Sequence, residues 1–502
     1  MNDKNVKNNW TIMVYISADD VLANFAIDSL NQLRRAAGKR NIVMALFDPN
    51  DGSKKAFRYR FDGRNKEDTL QSVGTTITAR DMADPRTLTR FVNWASKPLK
   101  EREGRHYCLV LWGHGTELLL DQDLSKRRKR YLTPANLERA LERTRFNENN
   151  KLDIVALDAC SMSMVELASA LQGCVRFMVA SQDEVPDVSF PYEQILKGLK
   201  GRGGNVKNIG ELIPQLYLES FRDYLVTSRN GMKEIMLSSL NLEELKTITD
   251  PVKNLGGSLL RSVADKDVCK AVLLARQRSR DFVLGLFVDL YDFCKNLPKS
   301  FEENGCQDKD HSKELTAACA HIRKAIDDKK CIIANETRQT AKDCHGLSIY
   351  FPYSVEKDEK EQTKRLLGEN ETGILNLPLV KGGRDNQAKA RNGRIEELEA
   401  DFNRLRFFQE DDGWGSFIKE GWSLILARTF PRKLDLHYSA QQCARNLLPL
   451  SEKTLLIPSK RSEKKRPQRI TRHSKKWKLQ LVHKGPKKEA PTAPEPRHRR
   501  VG

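Results

Sequence analysis

The sequence has no run of about 18 apolar residues, which argues against a membrane-spanning helix. Its ten cysteines include no Cys-x-x-Cys pair, so the usual spacing of a structural zinc or dithiol redox site is missing and no metal is expected. There is also no basic segment leading into an apolar block of about 7–15 residues with a small-residue cleavage site. Residues 1–9 are polar and run straight into an apolar stretch at Trp10. Without a legible export signal, the expected location is cytoplasmic and the cysteines are expected as reduced thiols. No internal repeat is evident.

What is present is a chain of 502 residues with 39% hydrophobic and 31% charged residues, enough for a large core with a wet fringe. The formal net charge of +20 is unevenly spread. Between 458 and 502 there are 16 Lys or Arg against 3 acids, a local +13, so only +7 falls to the other 457 residues. Basicity thus belongs largely to a tail, whose apolar content is too low to fold alone.

Over the first 200 residues, short apolar runs alternate with amphipathic stretches. WTIMVYIS (10–17), IVMALFD (42–48), YCLVLWG (107–113), LDIVALD (152–158) and RFMVAS (176–181) read as strands buried on both faces. Helical patterns lie between them, among them PRTLTRFVNWASKPL, TPANLERALERT and SMSMVELASALQG. The alternation predicts an α/β fold, a mostly parallel sheet flanked by helices. The expected organisation is an α/β core over 9–204, a largely helical region with one more strand (234–242) over 205–335, and a final core strand (346–352) with C-terminal helices over 336–430. A connecting segment, 431–457, and a disordered basic tail, 458–502, complete it.

Two strand ends carry candidate chemistry. In LVLWGHGTE, His114 follows an apolar strand and precedes Gly115; in DIVALDACSMSMVE, Cys160 closes another strand ahead of a helical pattern expected over 161–171. Residues just past the carboxyl ends of parallel strands line the ligand crevice of such sheets. A thiol there is activated as its thiolate by a helix N-terminus or a nearby imidazolium, with Ser161 and Ser163 near the expected cap. The oxyanion formed on attack needs backbone donors, and the N–H groups of Gly115 and Cys160 are the candidates. Each feature also has a plain reading: a small hydrophobe at a strand end, and a turn holding a hydrogen-bonded imidazole. Cys344-His345 is a second pair, but adjacent residues entering a strand point to opposite faces.

These residues, together with WTIMVYISADD, VASQDEVPDVSFPY, FVDLYDFC, GLSIYFP and DGWGSFIKEGW in that order, resemble the clostripain family of cysteine peptidases, within the wider caspase-like and gingipain-like group. The resemblance spans roughly residues 9–425. It implies hydrolysis of peptide bonds after Arg or Lys through an acyl-enzyme, with Cys160 as nucleophile and His114 as general acid/base. It also implies that Asp158 recognises the basic side chain, which a carboxylate does by charge-assisted hydrogen bonds. A carboxylate there can equally serve only to stabilise a helix N-terminus. A second acid is expected from Asp183, Glu184 or Asp187, with Asp187 favoured. Where relatives commonly carry Gly-Trp before the tyrosine, this chain has Ser189-Phe190-Pro191-Tyr192, which bears on substrate preference. Calcium dependence is implied by the resemblance alone and has no visible signature here.

Relatives mature by cutting themselves between His and Cys. This chain carries five consecutive basic residues there, Lys126, Arg127, Arg128, Lys129 and Arg130, an expected autoprocessing loop, although charge runs are commonly just solvated loops. The expected partners are peptides or proteins with Arg or Lys at the cleaved bond, with no membrane. The 458–502 tail adds nonspecific contact with polyanions. Two rival readings remain: a catalytically silent caspase-like scaffold binding nucleic acid or another polyanion through that tail, and a hydrolase of similar fold acting on non-peptide thioesters or amides.

Overall fold

The structure is a computed structural model. It describes residues 10–18, 22–49, 53, 55–64, 69–97, 106–115, 119–121, 130–201, 205–222, 227–228, 231–232, 234–282, 285–338, 341, 343–352, 400–409, 413–422 and 424–425. The chain divides into two units, 1–447 and 448–502; every described residue lies in the first. The 458–502 tail therefore lies outside the described residues, as do Lys126–Lys129 of the basic run.

Nine strands form one sheet. They are β1 (Trp10–Ser17), β2 (Asn41–Asp48), β3 (Lys55–Phe61), β4 (Thr75–Thr78), β5 (His106–Trp112), β6 (Leu152–Asp158), β7 (Val175–Ala180), β8 (Met236–Asn241) and β9 (Ile332–Thr337). Their spatial order is β9-β8-β7-β6-β5-β1-β2-β3-β4. The central five, β2-β1-β5-β6-β7, are parallel, and antiparallel pairs extend both edges. The five parallel strands are the continuous apolar runs. β1, β2 and β6 are buried along almost their whole length because helices cover both faces.

Alternate side chains go to opposite faces. Met13 and Tyr15 join one core cluster, while Trp10, Ile12, Val14 and Ile16 join the other. Helices Ala23–Ala36, Tyr192–Gly201 and Val206–Ser220 cover the second face, and Pro85–Ala95, Pro134–Glu142 and Val165–Leu171 lie against the first.

Two expectations are revised in detail. The segment 205–335 contributes β8 and the start of β9 to the same sheet, so its strands extend the core. GLSIYFP forms Ser348–Tyr350 in a separate three-stranded sheet with Asp281–Phe282 and Phe287–Asp289. This small sheet is tied down from the C-terminal side. The Trp414 indole donates to the Tyr350 carbonyl at 3.2 Å and that of Trp422 to the Pro352 carbonyl at 2.7 Å.

From β1 the chain moves to β2 on one side and later returns to β5 on the other, so the strand order reverses between β1 and β5. The crevice beyond the carboxyl ends of strands at such a switch point is where open α/β sheets hold ligands.

Candidate active site

β5 and β6 are parallel neighbours whose last register pair is Trp112 with Asp158. Their ends stay together for one more step, as the Gly113 N–H donates to the Asp158 carbonyl at 3.3 Å. Two residues beyond that register pair stand His114 on one strand and Cys160 on the other. The close approach depends on Gly115. A Cβ there would lie 2.2 Å from the Cys160 carbonyl oxygen and 2.4 Å from the Cys160 nitrogen, so only glycine lets the two backbones touch. The sequence-derived pair, 46 residues apart, therefore sits on one rim of one sheet, with the Gly115 backbone against that of Cys160.

The expected helix over 161–171 is shorter. It runs Val165–Leu171, with Met164 as an N-cap that makes no side-chain hydrogen bond. Cys160 thus precedes a loop rather than opening a helix, and Ser161 and Ser163 do not cap it. The reason is that the backbone of this loop is engaged elsewhere. Ser161 N–H donates to Asp183 O at 3.0 Å, Ser163 N–H to Ser181 O at 2.8 Å, and Ser348 N–H to Ser163 O at 2.9 Å. The Ser163 hydroxyl donates to Gly346 O at 2.6 Å. Ser161 is held at φ 58°, a left-handed conformation uncommon outside glycine.

The Cys160 sulfur meets a partner that the sequence did not announce. Val185 N–H donates to Sγ at 3.2 Å, and Sγ lies 3.7 Å from the Val185 carbonyl, so the main chain of Val185 offers the sulfur both a donor and an acceptor. Its loop is braced. The Asp183 carboxylate pairs with Arg280 at 3.3 Å, and Arg280 also binds Glu234. Of the three acids considered, Asp183 is therefore committed to Arg280, while Glu184 and Asp187 are exposed. Asp187 and Val188 form the tip of a turn closed by Ser189 N–H to Pro186 O at 2.9 Å.

Asp158 is enclosed: it is 4% exposed. Its Oδ2 accepts from the Ser189 hydroxyl, from Phe190 N–H at 3.2 Å and from the Tyr192 hydroxyl at 2.6 Å. Burial pushes the Asp158 carboxyl up to about 6, against the opposing pull of those three donors. The Trp112 indole N–H donates to Ser189 Oγ at 2.7 Å, joining the end of β5 to the same network. Asp158 and Asp187 do not form one acidic surface. One lies beneath the rim and the other at the tip of an exposed turn, linked through Ser189.

The other Cys-His pair is structural. His345 accepts a clamp from buried Asp289: its N–H donates to Oδ2 at 2.7 Å, and its Nδ1 lies 3.0 Å from Oδ1. The ring stacks on Tyr291 at 4.2 Å. Burial pushes the neighbouring Cys344 thiol up, away from the thiolate. The nine described cysteines are all thiols. Among the described residues no three His, Cys, Asp or Glu side chains gather as a metal site, so no calcium ligands are assigned. Also among the described residues, no helix is long and apolar enough to cross a membrane.

Of the basic run, only Arg130 is described. Its backbone begins a strand, Arg130–Leu132, that pairs antiparallel with Leu119–Asp121, so the hairpin brackets 122–129. The following helix, Pro134–Glu142, is pinned from far along the chain. Asp401 accepts from the Thr133 hydroxyl at 2.5 Å and from Ala135 N–H at 3.1 Å.

Residues 14–422 match the model of the clostripain family. Among solved structures, the chain is similar to an inactive zymogen C11 protease from Parabacteroides distasonis, with 16% identity over 81% of this chain and 98% of that one and a TM-score of 0.51. It is also similar to a secreted C11 cysteine protease from Bacteroides thetaiotaomicron in complex with an irreversible peptide inhibitor, with 16% identity over 71% of this chain and 97% of that one and a TM-score of 0.49. No match was found among curated proteins. With a family match across most of its length, this chain belongs to the clostripain family and is a cysteine peptidase.

Proposed function

We propose that the chain is an endopeptidase cutting after Arg or Lys, with Cys160 as nucleophile and His114 as its proton-transfer partner. The observation that carries this is the contact of the Gly115 backbone with that of Cys160, which sets the residues after β5 and β6 side by side. His114 takes the thiol proton, and the Cys160 sulfur attacks the scissile carbonyl carbon. The resulting oxyanion is met by backbone N–H groups, with Gly115 and Cys160 as the nearest candidates. As the C–N bond breaks, His114 gives its proton to the leaving amine and a thioester remains. Water then attacks the thioester, losing its proton to His114, and collapse releases the acid and the thiol.

In this reading the basic side chain of the substrate reaches Asp158. Support comes from the position of this carboxylate, buried two residues before the nucleophile and without a basic partner among its hydrogen bonds. Asp187, on the exposed turn, is the second acid and meets the substrate from above. The run 126–130 is the self-processing site, and the hairpin below it keeps both pieces together after cleavage. The tail's 16 basic residues give it affinity for polyanions.

The test is a panel of fluorogenic peptides ending in Arg, Lys or a neutral residue, given to the wild type and to Cys160→Ala. Hydrolysis of the basic peptides that vanishes in the variant is expected. Activity that survives Cys160→Ala would remove the nucleophile assignment, and equal rates on neutral peptides would remove the basic-residue preference.

A further inference from the structure

The two oxygens of Asp158 are used unequally. Oδ2 receives all three donors, from Ser189, Phe190 and Tyr192, whereas Oδ1 has no hydrogen-bond partner among the described residues. Close by is Tyr217, whose ring is fully buried between Phe190 and Phe221. Its hydroxyl has no hydrogen-bond partner among the described residues. Tyr217 packs edge-on against the ring of Phe190, centroids 5.4 Å apart, and the Phe190 N–H is one of the donors to Asp158. A buried phenol without a partner is costly unless something else satisfies it.

The spacing suits a substrate side chain. Cys160 packs against the same core cluster as Ile154 and Ala156, so it lies on the Asp158 side of β6. Two residues of strand cover about 6.6 Å. An extended Lys or Arg side chain carries its charge roughly 7 Å from its own carbonyl carbon, by ordinary bond lengths. A cation hung from a carbonyl at Cys160 therefore arrives at the level of Asp158.

We propose that Ser189 sets the balance between lysine and arginine at the cleaved bond: as the third donor on Oδ2, beside Phe190 N–H and the Tyr192 hydroxyl, it fills that oxygen and leaves Oδ1 and the Tyr217 hydroxyl for the incoming cation. This rests on the role proposed for Asp158. Arginine gains its advantage over lysine from a planar fork that engages both carboxylate oxygens at once. With Oδ2 already occupied, the fork loses its second prong. A lysine ammonium is a compact charge with three rotatable donors, which one carboxylate oxygen and one phenol oxygen suit. The Ser189 hydroxyl is aimed by its neighbours. Trp112 donates into Oγ at 2.7 Å, so the Ser189 proton is left to point at Asp158. The residue also sits at φ 73°, a conformation that glycine adopts without strain.

The experiment compares kcat/KM for Lys, Arg and Leu peptides at pH 8 in the wild type, Ser189→Gly and Tyr217→Phe. The wild type is expected to cleave after Lys at least as well as after Arg. Ser189→Gly removes one of the three donors on Oδ2, leaving Phe190 N–H and the Tyr192 hydroxyl, and the lone pair it releases is expected to raise the Arg-to-Lys ratio several-fold. Tyr217→Phe keeps the ring packing and is expected to lower kcat/KM for Lys several-fold more than for Arg. A basic preference with an unchanged Arg-to-Lys ratio in Ser189→Gly overturns the assignment of Ser189 and leaves Asp158 standing. A wild type that cleaves Leu peptides as well as basic ones overturns the reading of Asp158 beneath it. Tyr217→Phe gives an independent measure should the glycine variant fail to fold: an equal effect on Lys and Arg overturns the selection proposed here.

Discussion

Gly115→Ala is the smallest change that tests how the two strand ends meet. The added methyl would lie 2.2 Å from Cys160 O, 2.4 Å from Cys160 N and 2.8 Å from the Ala159 carbonyl carbon. All three are main-chain atoms, so no side chain can swing aside. Relief to an ordinary contact requires the rim of β5 or β6 to move by about 1 Å, and a displacement of that size at a catalytic centre costs roughly 100-fold in rate. The same movement takes the Gly115 and Cys160 amides away from the oxyanion, and loss of one such donor costs about 100- to 1,000-fold. The overpacking itself costs about 1–3 kcal/mol of stability. The expected outcome is a kcat at least 100-fold down on the best peptide, a KM little changed, and a modestly lower Tm. Circular dichroism and melting separate loss of rate from loss of fold. A folded Gly115→Ala enzyme with kcat within about threefold of the wild type would refute the reasoning, because the backbone contact would then have no part in catalysis.

Four further outcomes follow from the same geometry. Because burial raises the Asp158 carboxyl to about 6, protonation below that value removes its attraction for a cation. The preference for basic over neutral peptides should hold above pH 7 and decline as pH falls through 6; a flat ratio from pH 5 to 8 would exclude Asp158. The native state also holds this proton more tightly than the unfolded chain does, so the contribution of Asp158 to stability falls as pH rises from about 4 to about 6, readable in the pH dependence of Tm for the wild type against Asp158→Asn. Arg280→Leu leaves Asp183 and Glu234 facing each other without their shared cation, so the loop carrying Val185 should shift and alkylation of Cys160 by iodoacetamide should slow several-fold. Finally, wild-type protein should convert to two fragments on a denaturing gel that co-elute under native conditions, and Cys160→Ala, or neutral replacement of 126–130, should stay intact.

The second cut end would be well secured. Residues 130–132 remain in the hairpin, and Asp401 caps the helix that follows. After a break between 121 and 130, its ends stay paired through three residues on each side.

The five parallel strands were legible because strands covered on both faces must be apolar throughout, and that pattern survives in sequence without knowledge of the neighbours. His114 and Cys160 were legible for the same reason: a polar residue immediately after such a run stands at a sheet rim. The antiparallel edges were less so. β3, KAFRYRF, is only partly buried on each face and reads as a mixture of Arg and aromatics, and β4 is four residues with little buried surface. The length of the helix after Cys160 could not be read either, since SMSMVELASALQG is a good helical pattern. It starts late because Ser161 and Ser163 give their backbone groups to partners from 181–183 and 346–348.

The sequence alone determined the buried strands, the two rim residues and the order of motifs that marks the family, because each is a local pattern of polarity with a distinctive punctuation. Only the tertiary structure decided what surrounds them: the Val185 amide on Sγ, the serine that donates to one oxygen of Asp158, and the phenol of Tyr217 against Phe190. Those contacts join residues 25 to 31 positions apart through packing and main-chain geometry. A backbone amide or a buried hydroxyl leaves no mark of its own in a string of side-chain types.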